Sequence, residues 1–336
     1  MEALLSVKNL SIGIRLKLPG GEEKFFDFVE NISFNIYPGE IVGLVGESGS
    51  GKSLTAFSIP GLMDESRKVS GGSIFFSVDE STGNNKMADL LTLSDRELRN
   101  IRGKEISMIF QEPFSSLNPL VKIGDQIGET LMLHGEKDKS KIKKQVIELM
   151  GKLKLPDPEK LMESYPHRLS GGMCQRVMIA LAIICRPRLL IADEPTTALD
   201  QNTQSKILAQ MKEINRDLGT SILFISHDLG LIKDFCNRVI VMYSGRILEQ
   251  GTTAEIFNNP AHEYTKGLLR CIPGRANRGK DLAAIPGRIP SLEEGKPRGC
   301  PFQNRCEKAL AECKESFPPE RKISKTHTSR CLINEE

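Results

Sequence analysis

The sequence predicts an α/β fold: a mostly parallel sheet covered by helices on both faces. Three observations predict it. Short apolar runs rich in β-branched residues recur at Glu40–Val45, Ile106–Phe110, Leu189–Asp193, Ser221–Ser226 and Val239–Tyr243, with helical patterns between them; such runs are what strands buried on both faces require. The first run feeds Gly46-Glu47-Ser48-Gly49-Ser50-Gly51-Lys52-Ser53, the G-x-x-x-x-G-K-S pattern of a phosphate-binding loop. The third run ends in two adjacent carboxylates, Asp193 and Glu194, at the carboxyl end of its strand, where ligands of such sheets bind.

The elements follow in order. Residues 3–36 alternate apolar and polar positions (Leu5, Val7, Leu10; Ile32, Phe34, Ile36) and predict strands, separated by a turn at Pro19-Gly20-Gly21-Glu22-Glu23. Pro38-Gly39 is a turn into the loop strand, and Lys52–Ile59 opens a helix free of breakers. Ser70-Gly71-Gly72 leads into a strand at Ser73–Ser77, and 81–86 is a polar loop. Ser94, with Glu97 three residues on, marks a helix start. From about 112 to 168 turn residues give way to charged helical patterns such as Lys139–Leu155, which predicts a helical insertion. Beyond about 258 proline, glycine and cysteine rise and periodicity fades. The expected division is 1–258 for the nucleotide domain and 259–336 for a C-terminal extension.

Composition narrows the class. At 336 residues, 39% hydrophobic and 26% charged, with net charge +3, the chain is of ordinary soluble composition and makes no electrostatic case for nucleic acid. No apolar run approaches the ~20 residues needed to cross a bilayer. The start MEALLSVKNL has neither the basic region nor the apolar core of a signal peptide. A cytosolic chain is expected, in which the eight cysteines are not structural disulfides.

Chemistry concentrates at the strand ends. In the glycine-rich loop, backbone N–H groups wrap bound phosphate, Lys52 reaches the β- and γ-phosphates, and the Ser53 hydroxyl ligates Mg²⁺. Asp193 is placed to hold Mg²⁺ through water, and Glu194 to orient and polarise the attacking water. Taken alone, that pair reads better as two solvated acids at a strand end; the phosphate loop reverses the balance and gives it a task. Leu169-Ser170-Gly171-Gly172-Met173-Cys174-Gln175-Arg176 precedes another helix and offers a second anion-binding surface. One nucleotide needs both surfaces only if they come from different subunits.

The ordered set GESGSGKS, IFQEP, LSGGMCQR, LLIADEP, TALD and ISHD resembles the ATP-binding cassette of ABC transporters over about residues 4–255. The resemblance implies an ABC cassette of the P-loop NTPase class with an N-terminal antiparallel β subdomain. It implies that Gln111 senses the γ-phosphate and Mg²⁺, and that Ser170, Gly171 and Gly172 close over ATP held by a partner subunit. Asp200 would cross the dimer interface, and His227 would contact the γ-phosphate and the attacking water. An aromatic ahead of the loop would stack on adenine: Phe26 by spacing, with Phe25 and Phe28 as rivals. Met173 stands where glutamine is usual, and Cys174 reads as a tolerated surface change.

Three stretches are similar to the dipeptide and oligopeptide importer branch: Glu112–Pro119 (EPFSSLNP), His262–Leu269 (HEYTKGLL), and Ile285-Pro286-Gly287 with Pro290-Ser291-Leu292 leading to Gly299-Cys300-Pro301-Phe302. This implies a peripheral ATPase on the cytoplasmic face of the membrane. Its partners would be two integral-membrane permease subunits, a second ATPase subunit, identical or similar, and indirectly an external solute-binding protein, with no nucleic acid. Members of the branch also carry nickel, glutathione or oligosaccharides. A soluble cassette ATPase acting on DNA or ribosomes is disfavoured by the single cassette and the absence of heptads. A binding module without turnover is disfavoured by Glu194 and His227.

The tail holds Cys300, Cys306, Cys313 and Cys331, ringed by Arg298, Arg305, Lys308, Lys314 and Arg330. The spacing is not that of paired C-x-x-C zinc knuckles, whereas four thiolates at irregular spacing suit an iron–sulfur cluster. The tail resembles that of several peptide-importer ATPases that bear a [4Fe–4S] cluster there, and C-P-x-x-x-R-C matches its start. Zinc and free thiols remain alternatives, and His327 is expected at the surface.

Overall fold

The computed structural model describes residues 2–17, 21–78, 86–197, 199–272, 284–290 and 295–333. Pro19 and Gly20 of the expected turn, 81–85 of the polar loop, Ala198 and Ser291-Leu292 lie outside the described residues. In chain order the strands are β1 (Leu5–Lys17), β2 (Glu23–Ile36), β3 (Ile41–Val45), β4 (Arg67–Val78), β5 (Lys86–Asp89), β6 (Ile106–Ile109), β7 (Leu189–Asp193), β8 (Ser221–Ser226), β9 (Arg238–Tyr243), β10 (Arg246–Thr252), β11 (Arg321–Lys322) and β12 (Thr328–Ser329). The chain forms two compact units. One comprises Met1–Leu4, Ile36–Glu40 and Ser77–Phe224, the other Leu5–Asn35, Ile41–Phe76 and Ile225–Glu336.

In the first unit β6 and β7 pair in parallel, Ile106 opposite Leu189 through Ile109 opposite Ala192. All five residues of β7 are buried, each large aliphatic among them contributing about 1.5–3 kcal/mol of burial. β8 begins beside β7, Ser221 N donating to Arg188 O at 2.8 Å. The expected capping box is present: Ser94 and Glu97 cap the helix Asp95–Ile101 reciprocally. The insertion is helical at Pro113–Ser116, Ile123–Leu133, Lys139–Lys152 and Pro158–Leu161. Its charged texture has a simple cause. On Lys139–Lys152 only Ile142, Val146 and Met150 are buried, one stripe at helical spacing with the lysines facing water. Cys174 corrects the expectation of a surface position: it is 0% exposed, on the inner face of the helix Gly171–Ile183, with Sγ 3.8 Å from Pro166 O.

In the second unit β2, β1 and β4 stand side by side, with β1 and β4 antiparallel. Ser70-Gly71-Gly72 is not a lead-in to the strand but part of β4. The register with β1 shifts around Ser11, and Gly72, at φ 92°, sits where a Cβ would meet Asn9 O at 2.5 Å. The glycines therefore allow a bulge inside the strand. β3 and β9 pair in parallel, and Ile232 of the helix Leu229–Phe235 packs onto Gly43, where a Cβ would stand 3.0 Å from it. Beyond β9 the sheet continues antiparallel through β10, β12 and β11, so the tail adds two short strands.

Glu249 ties that tail down. Its carboxylate is 1% exposed and accepts from Ala261 N at 2.7 Å, His262 N at 2.9 Å and the ring of His327 at 2.7 Å. His327, 1% exposed, is thus a buried partner of Glu249 rather than the surface residue expected. Glu249→Ala strands two buried polar groups and one half-buried one and is expected to cost about 3–5 kcal/mol, seen as a lower urea midpoint in equilibrium unfolding.

Candidate active site

In the second unit β3 delivers the chain into Gly46–Ser53. Gly46 has no room for a side chain: a Cβ would stand 2.1 Å from Met242 O. The helix Lys52–Ser58 follows, with Gly51 as an N-cap that offers no side chain. Lys52 is 5% exposed and its ammonium donates to Gly46 O and Glu47 O, both at 2.9 Å. Ser50 is fully buried, and its carbonyl accepts from Gly245 N at 2.9 Å. Toward a ligand the loop offers backbone N–H groups, one buried ammonium and serine hydroxyls including that of Ser53, while its single carboxylate, Glu47, is paired with Arg305. That donor set suits a polyphosphate anion and a hard, oxygen-seeking cation such as Mg²⁺.

Of the aromatic candidates on β2, Phe25 is 43% exposed and carries the Arg15 guanidinium 5.1 Å above its ring. Phe26 is half-buried with Lys24 at 5.5 Å, and Phe28 half-buried with Lys296 at 5.8 Å. Alternation along β2 puts Phe26 and Phe28 on one face and Phe25 on the other. His227 is exposed, directly after β8, and the next residue, Asp228, caps the helix that follows.

In the first unit β7 ends at Asp193, 2% exposed, which supplies a further hard oxygen donor. Glu194 adopts φ 46°, a left-handed conformation costly for a residue with a Cβ. One carboxylate oxygen, Oε2, accepts from Gln111 Nε2 at 3.4 Å and from Thr197 Oγ1 at 3.0 Å. The structure thus brings Gln111 and Glu194 together and adds Thr197, which motif reading missed. Thr197 N also donates to Glu194 O three residues back, closing a turn that the sequence did not announce. Gln126 was missed as well: buried, it clamps the loop after Gln111 through bonds to Asn118 N, Asn118 O and Val121 O.

The expected partner-facing residues also gather within this unit. Ser170, Gly171, Gly172 and Asp200 line one open hollow of about 400 Å³. Ser170 caps the helix Gly171–Ile183 by accepting from Met173 N. Asp200 caps Gln201–Leu218, accepting from Asn202 N, Thr203 N and Thr203 Oγ1. The Thr203 hydroxyl and backbone hold its carboxyl below the usual range, leaving it ionised.

None of the eight cysteines of the chain, the four clustered in the tail included, is in a disulfide. Burial pushes the Cys300 thiol up to about 12, the backbone N–H of Phe302 pulls it down, and the charges of Cys313, Cys331 and Cys306 all reach it. Burial likewise raises Cys306, opposed by Lys308 N–H, and Cys331, opposed by Ile333 and Glu263 N–H. His262 is held neutral, burial lowering its pKa to about 4. Its Nδ1 accepts from Tyr264 N, so the proton sits on Nε2, 3.9 Å from Cys300 Sγ. The four thiols lie within electrostatic reach of one another and Cys300, Cys306 and Cys331 accept backbone N–H groups, while burial favours the protonated form of those three. Among the described residues, however, no three His, Cys, Asp or Glu stand close enough together to hold a metal ion.

Comparison with known proteins agrees with this geometry. Residues 29–197 match the ABC transporter family, and residues 248–313 match the oligopeptide/dipeptide transporter C-terminal region. The dipeptide transport ATP-binding protein DppD of Bacillus subtilis is 43% identical over 100% of this chain and 96% of its own. The oligopeptide transport ATP-binding protein OppD of Escherichia coli is 42% identical over 95% of this chain and 89% of its own. Among solved structures, a dimeric ATP-binding cassette in a post-hydrolysis state with ADP and Pi superposes with TM-score 0.62 at 27% identity, over 74% of this chain and 98% of that one. The fold and the loop define an ABC cassette, the ATP-hydrolysing part of a transporter. More particularly, the chain belongs to the ATP-binding subunits that carry the oligopeptide/dipeptide transporter C-terminal region.

Proposed function

We propose that this chain is the ATPase that powers import of di- or oligopeptides through a separate membrane permease. The observation that carries the reading is the joint match of cassette and C-terminal region, since the second is the part that sets this branch apart. Among the described residues no helix is long and apolar enough to cross a membrane, so the permeation path is assigned to two integral-membrane partners. The chain acts at the cytoplasmic face, paired with a second ATPase subunit and served indirectly by an external solute-binding protein. Residues 1–258 make the ATPase domain and 259–336 the extension. Nickel, glutathione or oligosaccharide is the alternative cargo. The test is co-purification with the permease subunits followed by steady-state ATP hydrolysis. A peptide-stimulated rate supports the assignment, and stimulation by nickel or a sugar alone redirects the cargo.

In the proposed mechanism Gly46–Ser53 binds the ATP phosphates, with Lys52 on the β- and γ-phosphates and an aromatic of β2, Phe26 by spacing, on adenine. Ser53, Gln111 and Asp193 would hold Mg²⁺, which would neutralise phosphate charge. Glu194, oriented by Gln111 and Thr197, positions and polarises the attacking water, and His227 contacts the γ-phosphate. The hollow of Ser170, Gly171, Gly172 and Asp200 serves the partner's ATP. Closure of the pair on ATP and its reopening after hydrolysis drive alternating access.

Cys300, Cys306, Cys313 and Cys331 are assigned to a [4Fe–4S] cluster that braces the tail. Support comes from the electrostatic reach of the thiols to one another and the N–H groups on three of them. Closing the set around a cluster requires the thiols to draw together, given the spacing noted above. Anaerobically purified chain is expected to hold about four irons and a visible charge-transfer band, both lost in Cys306→Ser. Stoichiometric zinc, or thiols titrating freely with no metal, overturns this assignment.

A further inference from the structure

Glu47, the second residue of the phosphate loop, is held from three sides, two of them by the C-terminal region. Its backbone N–H donates to the Tyr264 hydroxyl at 2.9 Å, and its carbonyl accepts from Lys52. Its carboxylate Oε2 accepts from Arg305 Nη1 at 2.8 Å, and the Arg305 side chain is only 6% exposed. The other carboxylate oxygen is buried without a hydrogen-bond partner among the described residues, so balancing this charge falls to Arg305. The guanidinium is itself fixed. It donates to Pro286 O at 2.7 Å, Ile285 O at 3.2 Å and the Tyr243 hydroxyl at 3.3 Å, and its centre lies 5.7 Å and 5.9 Å from the rings of Tyr243 and Phe302. Tyr243, Tyr264 and Phe302 pack edge-on or tilted at 4.7–5.4 Å between centroids.

We propose that Arg305 and Tyr264 are positioning residues for the phosphate loop: they fix Glu47, cancel its charge, and so set the affinity for ATP. The physical reason is sign. A loop that receives a polyphosphate is a poor place for a carboxylate, and an unpaired Glu47 would repel the ligand more strongly the more charge the ligand carries. The proposal rests on Gly46–Ser53 being the phosphate site, and Lys52→Ala separates the two claims.

The test is equilibrium titration of the full chain with ATP and with ADP, alongside thermal melting. Arg305→Ala is expected to weaken ATP about tenfold and ADP less, with Arg305→Lys retaining most of the affinity. Tyr264→Phe, which removes the acceptor for Glu47 N–H, is expected to weaken both nucleotides alike. Adding Glu47→Gln to Arg305→Ala is expected to recover most of the loss, which a merely structural arginine would not allow. Lower melting temperatures with unchanged ATP affinity in Arg305→Ala and Arg305→Lys, or no recovery in the double variant, overturn the proposal. If Lys52→Ala weakens ATP while Arg305→Ala does not, the clasp alone fails. If Lys52→Ala has no effect, the phosphate site itself is misassigned.

Discussion

Glu194→Gln is expected to leave ATP binding intact while turnover in the assembled transporter falls by about 100-fold or more, the scale on which a positioned general base contributes. The substitution is nearly isosteric, so the acceptors for Gln111 and Thr197 survive on the amide oxygen. What is lost is the negative charge to which the proposed mechanism gives the polarising of water. The left-handed backbone at Glu194 belongs to the same argument. A strand that simply continued past Asp193 would turn the next side chain to the opposite face; the kink re-aims it, and strain of this kind persists only where surrounding contacts hold it. Binding is followed by nucleotide titration and turnover by phosphate release. Wild-type turnover in the variant would remove Glu194 from the catalytic role.

Lys52→Ala acts one step earlier. The ammonium is buried and gathers Gly46 O and Glu47 O, so its removal deletes both a charge aimed at phosphate and a brace of the loop. A charge-assisted hydrogen bond of this kind contributes about 1.5–3 kcal/mol, which corresponds to roughly 10- to 150-fold weaker ATP binding. The two variants therefore part company: one binds without turning over, and the other fails to bind at ordinary nucleotide concentrations.

How much of this was legible in the sequence depended on the range of the contacts involved. β7 and β8 occupy the expected residues because an apolar run is its own signal and ends in a polar residue at the sheet edge. The capping box at Ser94 and Glu97 is likewise local chemistry. Glycine 72 misled because the same residue type marks turns and bulges, and only the partner strand tells them apart. β11 and β12, of two residues each, have no periodicity to show. The buried His327 and the Arg305–Glu47 pair depend on partners 78 and 258 residues away, which no window of sequence displays. The local structure of the motif loops was legible for the opposite reason: each loop carries its own geometry, from the backbone of Gly46–Ser53 to the cap at Ser170.

The measurement that addresses the central claim most directly is uptake of a radiolabelled dipeptide or short oligopeptide by sealed vesicles containing this chain with its permease partners and solute-binding protein. The expected result is accumulation that requires ATP on the side of this chain and is abolished by Glu194→Gln in this subunit. ATP hydrolysis without peptide accumulation, or accumulation that survives Glu194→Gln unchanged, would contradict the assignment of this chain as the motor of a peptide importer.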